Sequence, residues 1–123
     1  MEPPNTQPTF ATAINCMDGR VQLPVAEFAR RQFKVEFVDM VTAAGAVANF
    51  HSDLIRQVGI SLDAHQSRGV VVAAHEGCVG NPVSEERQRV QCLELAEKVA
   101  YAYPKIRIIP VWVSLDGRVE TIA

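Results

Sequence analysis

The apolar run within "RGVVVAAH" (residues 68–75) constrains the fold more than any other stretch of the chain. It is apolar at every position up to the histidine, whereas a strand with one face in water alternates apolar and polar residues. An unbroken run of this kind suits a strand covered by helices on both faces, the usual environment of a parallel sheet. Parallel neighbours are joined by long crossovers, so the rest of the chain must alternate strands with helices.

It does. "TFATAIN" (residues 9–15) reads as a short buried first strand, and Pro24 suits the first turn of a helix through "VAEFARRQF" (25–33), with Phe28 and Phe33 on its apolar side. "KVEFVDMV" (34–41) is a second strand, and the small residues of "TAAGAVAN" after it permit close backbone approach. "SDLIRQVGISLDAHQ" (52–66) sets Leu54, Val58 and Leu62 at helical spacing behind a Ser-Asp start, with Gly59 as its weak point. A long helix is predicted from Ser84 to about Tyr103, with Glu85 and Glu86 at the positive end of its dipole. Val90, Leu93, Ala96, Val99 and Tyr103 form its expected apolar face. "RIIPVWVSLDGRVETI" (107–122) closes the chain as a fourth strand and a turn, and Pro110, lacking an N–H, points to a sheet edge.

The alternation predicts a single α/β domain over residues 9–123, a mostly parallel sheet of order 2-1-3-4 with helices on both faces, preceded by a flexible arm over residues 1–8. In that order strands one and three are neighbours, and a crevice opens at their carboxyl ends, where such sheets bind ligands.

Charge and composition exclude several classes of function. Twelve Lys and Arg against fourteen Asp and Glu leave a net charge of −2 with no basic patch, which argues against nucleic acid as a partner. No run approaches the roughly 18 apolar residues of a membrane helix, and the start lacks the basic segment and apolar core of a signal peptide, so a cytoplasmic protein is expected. Three cysteines are an odd count, which favours a metal or a reactive thiol over a disulfide framework.

The crevice gathers the candidate chemistry. Cys16, in "CMDGR", ends strand one, while His75 and Cys78, in "HEGC", end strand three. Three residues apart just past a strand, an imidazole and a thiolate can turn onto one ion, and Cys16 can supply a third ligand. Three protein ligands with one open position is the catalytic zinc arrangement, and only Asp18 is at hand as a fourth. Two other readings stand beside it: a hydrogen-bonded histidine with cysteines that merely pack, or Cys16 and Cys78 as a redox pair. Cys92 reads as helix packing, His51 and His65 as solvated or capping, and Arg30, Arg31, Arg87 and Arg89 as solvated helix faces. Asp116 and Arg118 repeat the "DGR" triplet at a hairpin turn, and Gly77 and Gly80 suit either an anion-binding nest or plain turn geometry.

Together "CMDGR" and "HEGC" resemble the CxDxR and HxxC pair of the β-class carbonic anhydrases, and the similarity runs from about Thr9 to the closing "VSLDGRVE". The resemblance implies Zn2+ on Cys16, His75 and Cys78, with Asp18 and Arg20 as the catalytic pair. It also implies reversible hydration of carbon dioxide to bicarbonate by a zinc-bound hydroxide, in a homodimer or larger homo-oligomer. Arg20 beside Asp18 favours the ionised carboxylate and fixes its direction. Two thiolates offset the charge of the zinc, so activity is expected to climb toward alkaline pH. The chain departs from the family pattern in the expected substrate pocket. Thr42, Ala43, Ala44 and Gly45 replace an Arg-Asn-Ala-Gly stretch, and Glu76, Gly77 and Val79 replace the usual neighbours of the His-Cys pair. Ala44, Gly45, Gly77 and Val79 are thus the candidate pocket residues. The departures admit two alternatives: a zinc-holding regulatory or binding module with little hydratase activity, or a hydrolase of a carbon dioxide analogue.

Overall fold

The computed structural model describes residues 7–49 and 51–122. Five strands, β1 (Phe10–Cys16), β2 (Phe37–Ala43), β3 (Gly69–His75), β4 (Arg107–Val113) and β5 (Val119–Thr121), form one sheet of order β2-β1-β3-β4-β5. The first four are parallel, in the predicted order, and β5 adds an antiparallel edge. Helices α1 (Gln22–Phe33), α2 (His51–His65) and α3 (Glu85–Ala102) make the crossovers. Of the arm expected over residues 1–8, the first six residues lie outside those described, and Gln7 and Pro8 are exposed.

β3 is buried at all seven positions because its alternate side chains enter two different cores. Val70, Val72 and Ala74 pack with Ile14, Leu54, Val58, Leu95 and Val99 beneath α2 and α3. Val71 and Ala73 pack with Ala11, Ala13, Val25, Ala29 and Phe33 beneath α1. Each face is therefore dry, and the unbroken apolar run of β3 follows from its central place.

Most boundaries fall near the predicted ones, and the differences have local causes. β2 starts at Phe37, three residues late, because Lys34 closes α1 in the left-handed conformation and the Glu36 and Phe37 amides first bond to the Thr9 carbonyl. Ser84 caps α3 by accepting from the Arg87 amide at 3.1 Å, as its position suggests. The buried stripe of α3 runs through Gln88, Cys92, Leu95, Ala96 and Val99, whereas Val90 is 42% exposed. The predicted face was rotated toward Val90 because Gln88 does not read as apolar. Arg89 is not a solvated residue: it bonds Glu85 at 2.9 Å and Glu120 of β5 at 2.6 Å and lies 4.9 Å over the Trp112 ring.

Pro110 is not in an edge strand, since β4 has β3 on one side and β5 on the other. The Pro110 carbonyl accepts from the Ile122 amide at 2.9 Å, and the N and C=O of one residue point to the same side of a strand. The missing N–H therefore faces the short outer strand and leaves the β3 ladder intact. The Ser114–Arg118 segment forms the expected hairpin turn, with the Gly117 amide bonded to the Ser114 carbonyl at 3.0 Å, and it leads into a strand rather than ending the fold.

Gly59 has a packing reason. A methyl there would overlap the Tyr103 hydroxyl, which crosses α2 to donate to the Ile55 carbonyl at 3.1 Å. Helix propensity alone would make Gly59→Ala stabilising by about 1 kcal/mol. Displacing the hydroxyl reverses the sign, and urea unfolding is expected to show a net loss of about 1–2 kcal/mol. The double variant G59A/Y103F should recover most of that loss; an unfolding midpoint unmoved by G59A would contradict the contact.

Candidate metal centre

Adjacency of β1 and β3 puts the ends of both strands in one place. Cys16 and His75 are their last residues, and the chain then turns at Gly77, in the left-handed region at φ +67°, to return Cys78 toward them. All three side chains are buried. The Cys16 and Cys78 sulfurs stand 3.9 Å apart, and both lie within 4.8 Å of a ring nitrogen of His75. The His75 Nδ1 donates to the Glu76 carbonyl at 2.7 Å, which leaves Nε2 with its lone pair bare, and this buried atom has no hydrogen-bond partner.

Backbone amides hold the sulfurs in turn. The Gly45 N–H donates to Cys16 Sγ at 3.4 Å, while the Gly80 and Asn81 amides bond Cys78 Sγ. These two donor loops interlock through glycine: a methyl on Gly45 would come within 2.5 Å of the Gly80 carbonyl oxygen, and one on Gly80 within 2.8 Å of the Gly45 nitrogen. The close approach expected of "TAAGAVAN" occurs here.

This donor set fits zinc. Two sulfurs each about 2.3 Å from one tetrahedral zinc stand about 3.8 Å apart, close to the separation observed. Burial and the facing Cys16 thiol push the Cys78 thiol up, so a second negative charge is costly until a cation offsets both. An unpaired buried imidazole nitrogen costs about 1–3 kcal/mol, a cost that coordination removes. The histidine already carries the backbone hydrogen bond that selects its coordinating tautomer.

Asp18 and Arg20 lie in the loop that leaves β1. Arg20 donates from its backbone N and Nε to Asp18 Oδ1, at 2.9 and 3.1 Å, and from Nη2 to Oδ2 at 2.7 Å. These bonds hold the Asp18 carboxyl well below the usual carboxylate range. Arg20 Nη2 also reaches the Gly77 carbonyl at 3.4 Å, tying the pair to the loop that carries Cys78. Among the described residues the group of converging ligand atoms is Cys16, His75 and Cys78, without Asp18. Gln22 was not singled out from the sequence, yet its Nε2 bonds the carbonyls of Cys16 and Asp18 at 2.6 and 2.9 Å and fixes the loop between them. Only a polar residue in the first turn of α1 hinted at that role.

The candidate pocket residues fall in two depressions. Gly77 and Val79 line a cleft of about 440 Å3 with Cys78, Pro82, Val83, Gln88 and Trp112. Ala44 and Gly45 border a separate hollow of about 270 Å3 with Ala48, Asn49 and Gly80. Gly80 is thus committed to backbone packing. Cys92 is fully buried, donates to the Val72 carbonyl at 3.2 Å, and has its thiol pushed up to about 12 by burial, which makes it inert packing. His51 bonds the Val47 carbonyl at 2.8 Å and Lys98 at 3.1 Å, whereas His65 bonds Asp39 at 2.6 Å and stacks on Phe10. Neither joins the centre.

Fold and site together define an α/β domain with two thiols and an imidazole converging at the switch point of a parallel sheet. A family model described as "Putative carbonic anhydrase" matches residues 6–123, and the chain belongs to this family. Its fold is that of the β-class enzymes. A carbonic anhydrase from Streptococcus mutans superposes with a TM-score of 0.70 at 18% identity, covering 95% of this chain and 84% of that one. An apo carbon disulfide hydrolase gives 0.64 at 14% identity, with 94% and 79% covered. A structure of tetrameric β-carbonic anhydrases from Sordaria macrospora gives 0.60 at 14%, with 95% and 81% covered. No curated protein sequence matches the chain. Among the described residues no helix is long and apolar enough to cross a membrane.

The Asp18–Arg20 pair can be read directly by NMR. In Arg20→Met the Asp18 carboxyl should titrate closer to the ordinary 3.8, with the backbone N–H of residue 20 still lowering it, whereas in the parent protein it should remain ionised further below that. Because the folded value is depressed, the pair stabilises the fold above pH 3.8 and progressively less as pH falls through the folded value. The stability gap between parent and R20M should therefore narrow in acid; a gap that widens there would contradict the pairing.

Proposed function

We propose that this chain is a zinc-dependent carbonic anhydrase interconverting carbon dioxide and bicarbonate, with Cys16, His75 and Cys78 as metal ligands and Asp18 and Arg20 as the catalytic pair. The observation that carries the reading is His75, with a bare, buried Nε2 and a ring nitrogen within 4.8 Å of two thiols, in a chain of this family. Zinc held there supplies the Lewis acidity that lets water lose a proton near neutral pH. Cys16, His75 and Cys78 would hold the ion, and three protein ligands is the number that catalytic zinc uses. Asp18, kept ionised by Arg20, accepts a hydrogen bond from the attacking water and so aims its lone pair at the substrate carbon. Arg20 holds the carboxylate and the Gly77 carbonyl together, keeping acceptor and ligands in one frame.

Val79, Pro82, Val83 and Trp112 give the cleft beside Cys78 an apolar wall, suited to a small uncharged substrate. That wall and the likeness to a carbon disulfide hydrolase favour a second reading, hydrolysis of a sulfur analogue of carbon dioxide. The tetrameric β-carbonic anhydrases of similar fold support a homo-oligomer.

Protein purified with zinc and dialysed is expected to keep one zinc per chain, and Cys16→Ser to lose it. Stopped-flow hydration should rise toward alkaline pH in the parent and fall to the buffer rate in C16S. Zinc retention with no hydration above buffer at pH 9 would reject the anhydrase; carbon disulfide consumption by the same sample would favour the second reading.

A further inference from the structure

Glu76 sits between the imidazole and the turn to Cys78, and its N–H, its carbonyl and one carboxylate oxygen are engaged. Its backbone N–H donates to the Val113 carbonyl at 2.9 Å, at the end of β4. Its Oε1 accepts from the Leu115 amide at 2.9 Å, in the turn between β4 and β5. Its carbonyl accepts from His75 Nδ1 at 2.7 Å. Two of the three bonds run to the β4–β5 hairpin, and the third decides which nitrogen of His75 is left bare.

We propose that Glu76 is a positioning residue: its carboxylate, anchored on the Leu115 amide, holds the Glu76 carbonyl where it selects the tautomer and aim of His75. A peptide carbonyl followed by glycine in the left-handed region, as here at Gly77, is free to rotate unless something fixes the plane. One fixing contact is the backbone bond to Val113, which orients the N–H side, and the carboxylate bond adds a second point on the same residue. Leu115 also packs against this turn, since a methyl on Gly77 would lie 3.3 Å from its Cδ1. The charge of Glu76 is not the operative feature: an acceptor oxygen at that distance is. The last hairpin of the chain, remote in sequence from every metal-ligand candidate, thereby becomes part of the support of the centre.

The inference rests on the metal-site reading for its affinity test but not for its structural one. In metal-free protein, nitrogen NMR should report a single His75 tautomer protonated at Nδ1, becoming a mixture in Glu76→Ala and remaining single in Glu76→Gln. Zinc affinity, measured by chelator competition, should fall about 10-fold in E76A and stay within about threefold of the parent in E76Q, the scale of outer-shell partners of metal-bound histidine. Leu115 is the second residue of the Ser114–Gly117 turn, a place that suits proline, so L115P deletes the donor with little cost to the turn. It should reproduce E76A, add nothing when combined with it, and differ from L115A, which keeps the amide. If E76A does not fold, the contrast of L115P with L115A carries the test. A parent that binds no zinc rejects the proposed function while the tautomer measurement still judges Glu76. A single tautomer and parental affinity in E76A or L115P, or an E76Q as impaired as E76A, would overturn the proposal.

Discussion

The direct pairing of β1 with β3 is the constraint on which the centre depends. Thr12 to Ile14 lie against Val70 to Val72, and that register carries Cys16 and His75 to the same end of the sheet. If β2 stood between them, the two side chains would be separated by another strand spacing of about 4.8 Å, beyond shared reach of one ion. What enforces the pairing is burial. The inner residues of β1 and β3 contribute to both cores, so each strand is covered on both faces and suits a central place in the sheet.

Strands and helices were legible where their periodicity had one dominant cause. The apolar run of β3 and the capping signals of α3 named their own environment, and the metal-ligand candidates were visible because strand ends in an alternating α/β chain share one rim. Errors arose where a residue's partner is distant. Pro110 reads as an edge residue because nothing nearby announces the strand beyond the turn, and Arg89 reads as solvated because Glu120 lies 31 residues away. The pocket was the least legible part. Ala44 and Gly45 carry no polar atoms in their side chains to mark what they face, and their place follows from Gly80 across the loop.

The electrostatics of the site divide between two neighbouring regions. Asp18 stays ionised because a guanidinium grips both its oxygens, while the Cys78 thiol is disfavoured as an anion by burial and by its facing thiol. One region holds its charge ready without further partners. The other holds two thiols whose anions would repel each other in a buried place, and among the described residues backbone amides from Gly45, Gly80 and Asn81 bond the two sulfurs.

Cys16 and Cys78 are 62 residues apart, and their sulfurs meet only after β1 and β3 have paired and the Gly77 turn has formed. A cation captured by this triad therefore arrives after the polypeptide has assembled, unlike one that nucleates a short finger between nearby ligands. On the proposed reading, its uptake would add to the stability of a finished scaffold with the logarithm of its free concentration. The supply of metal would then set how strongly the folded state is favoured over the unfolded one.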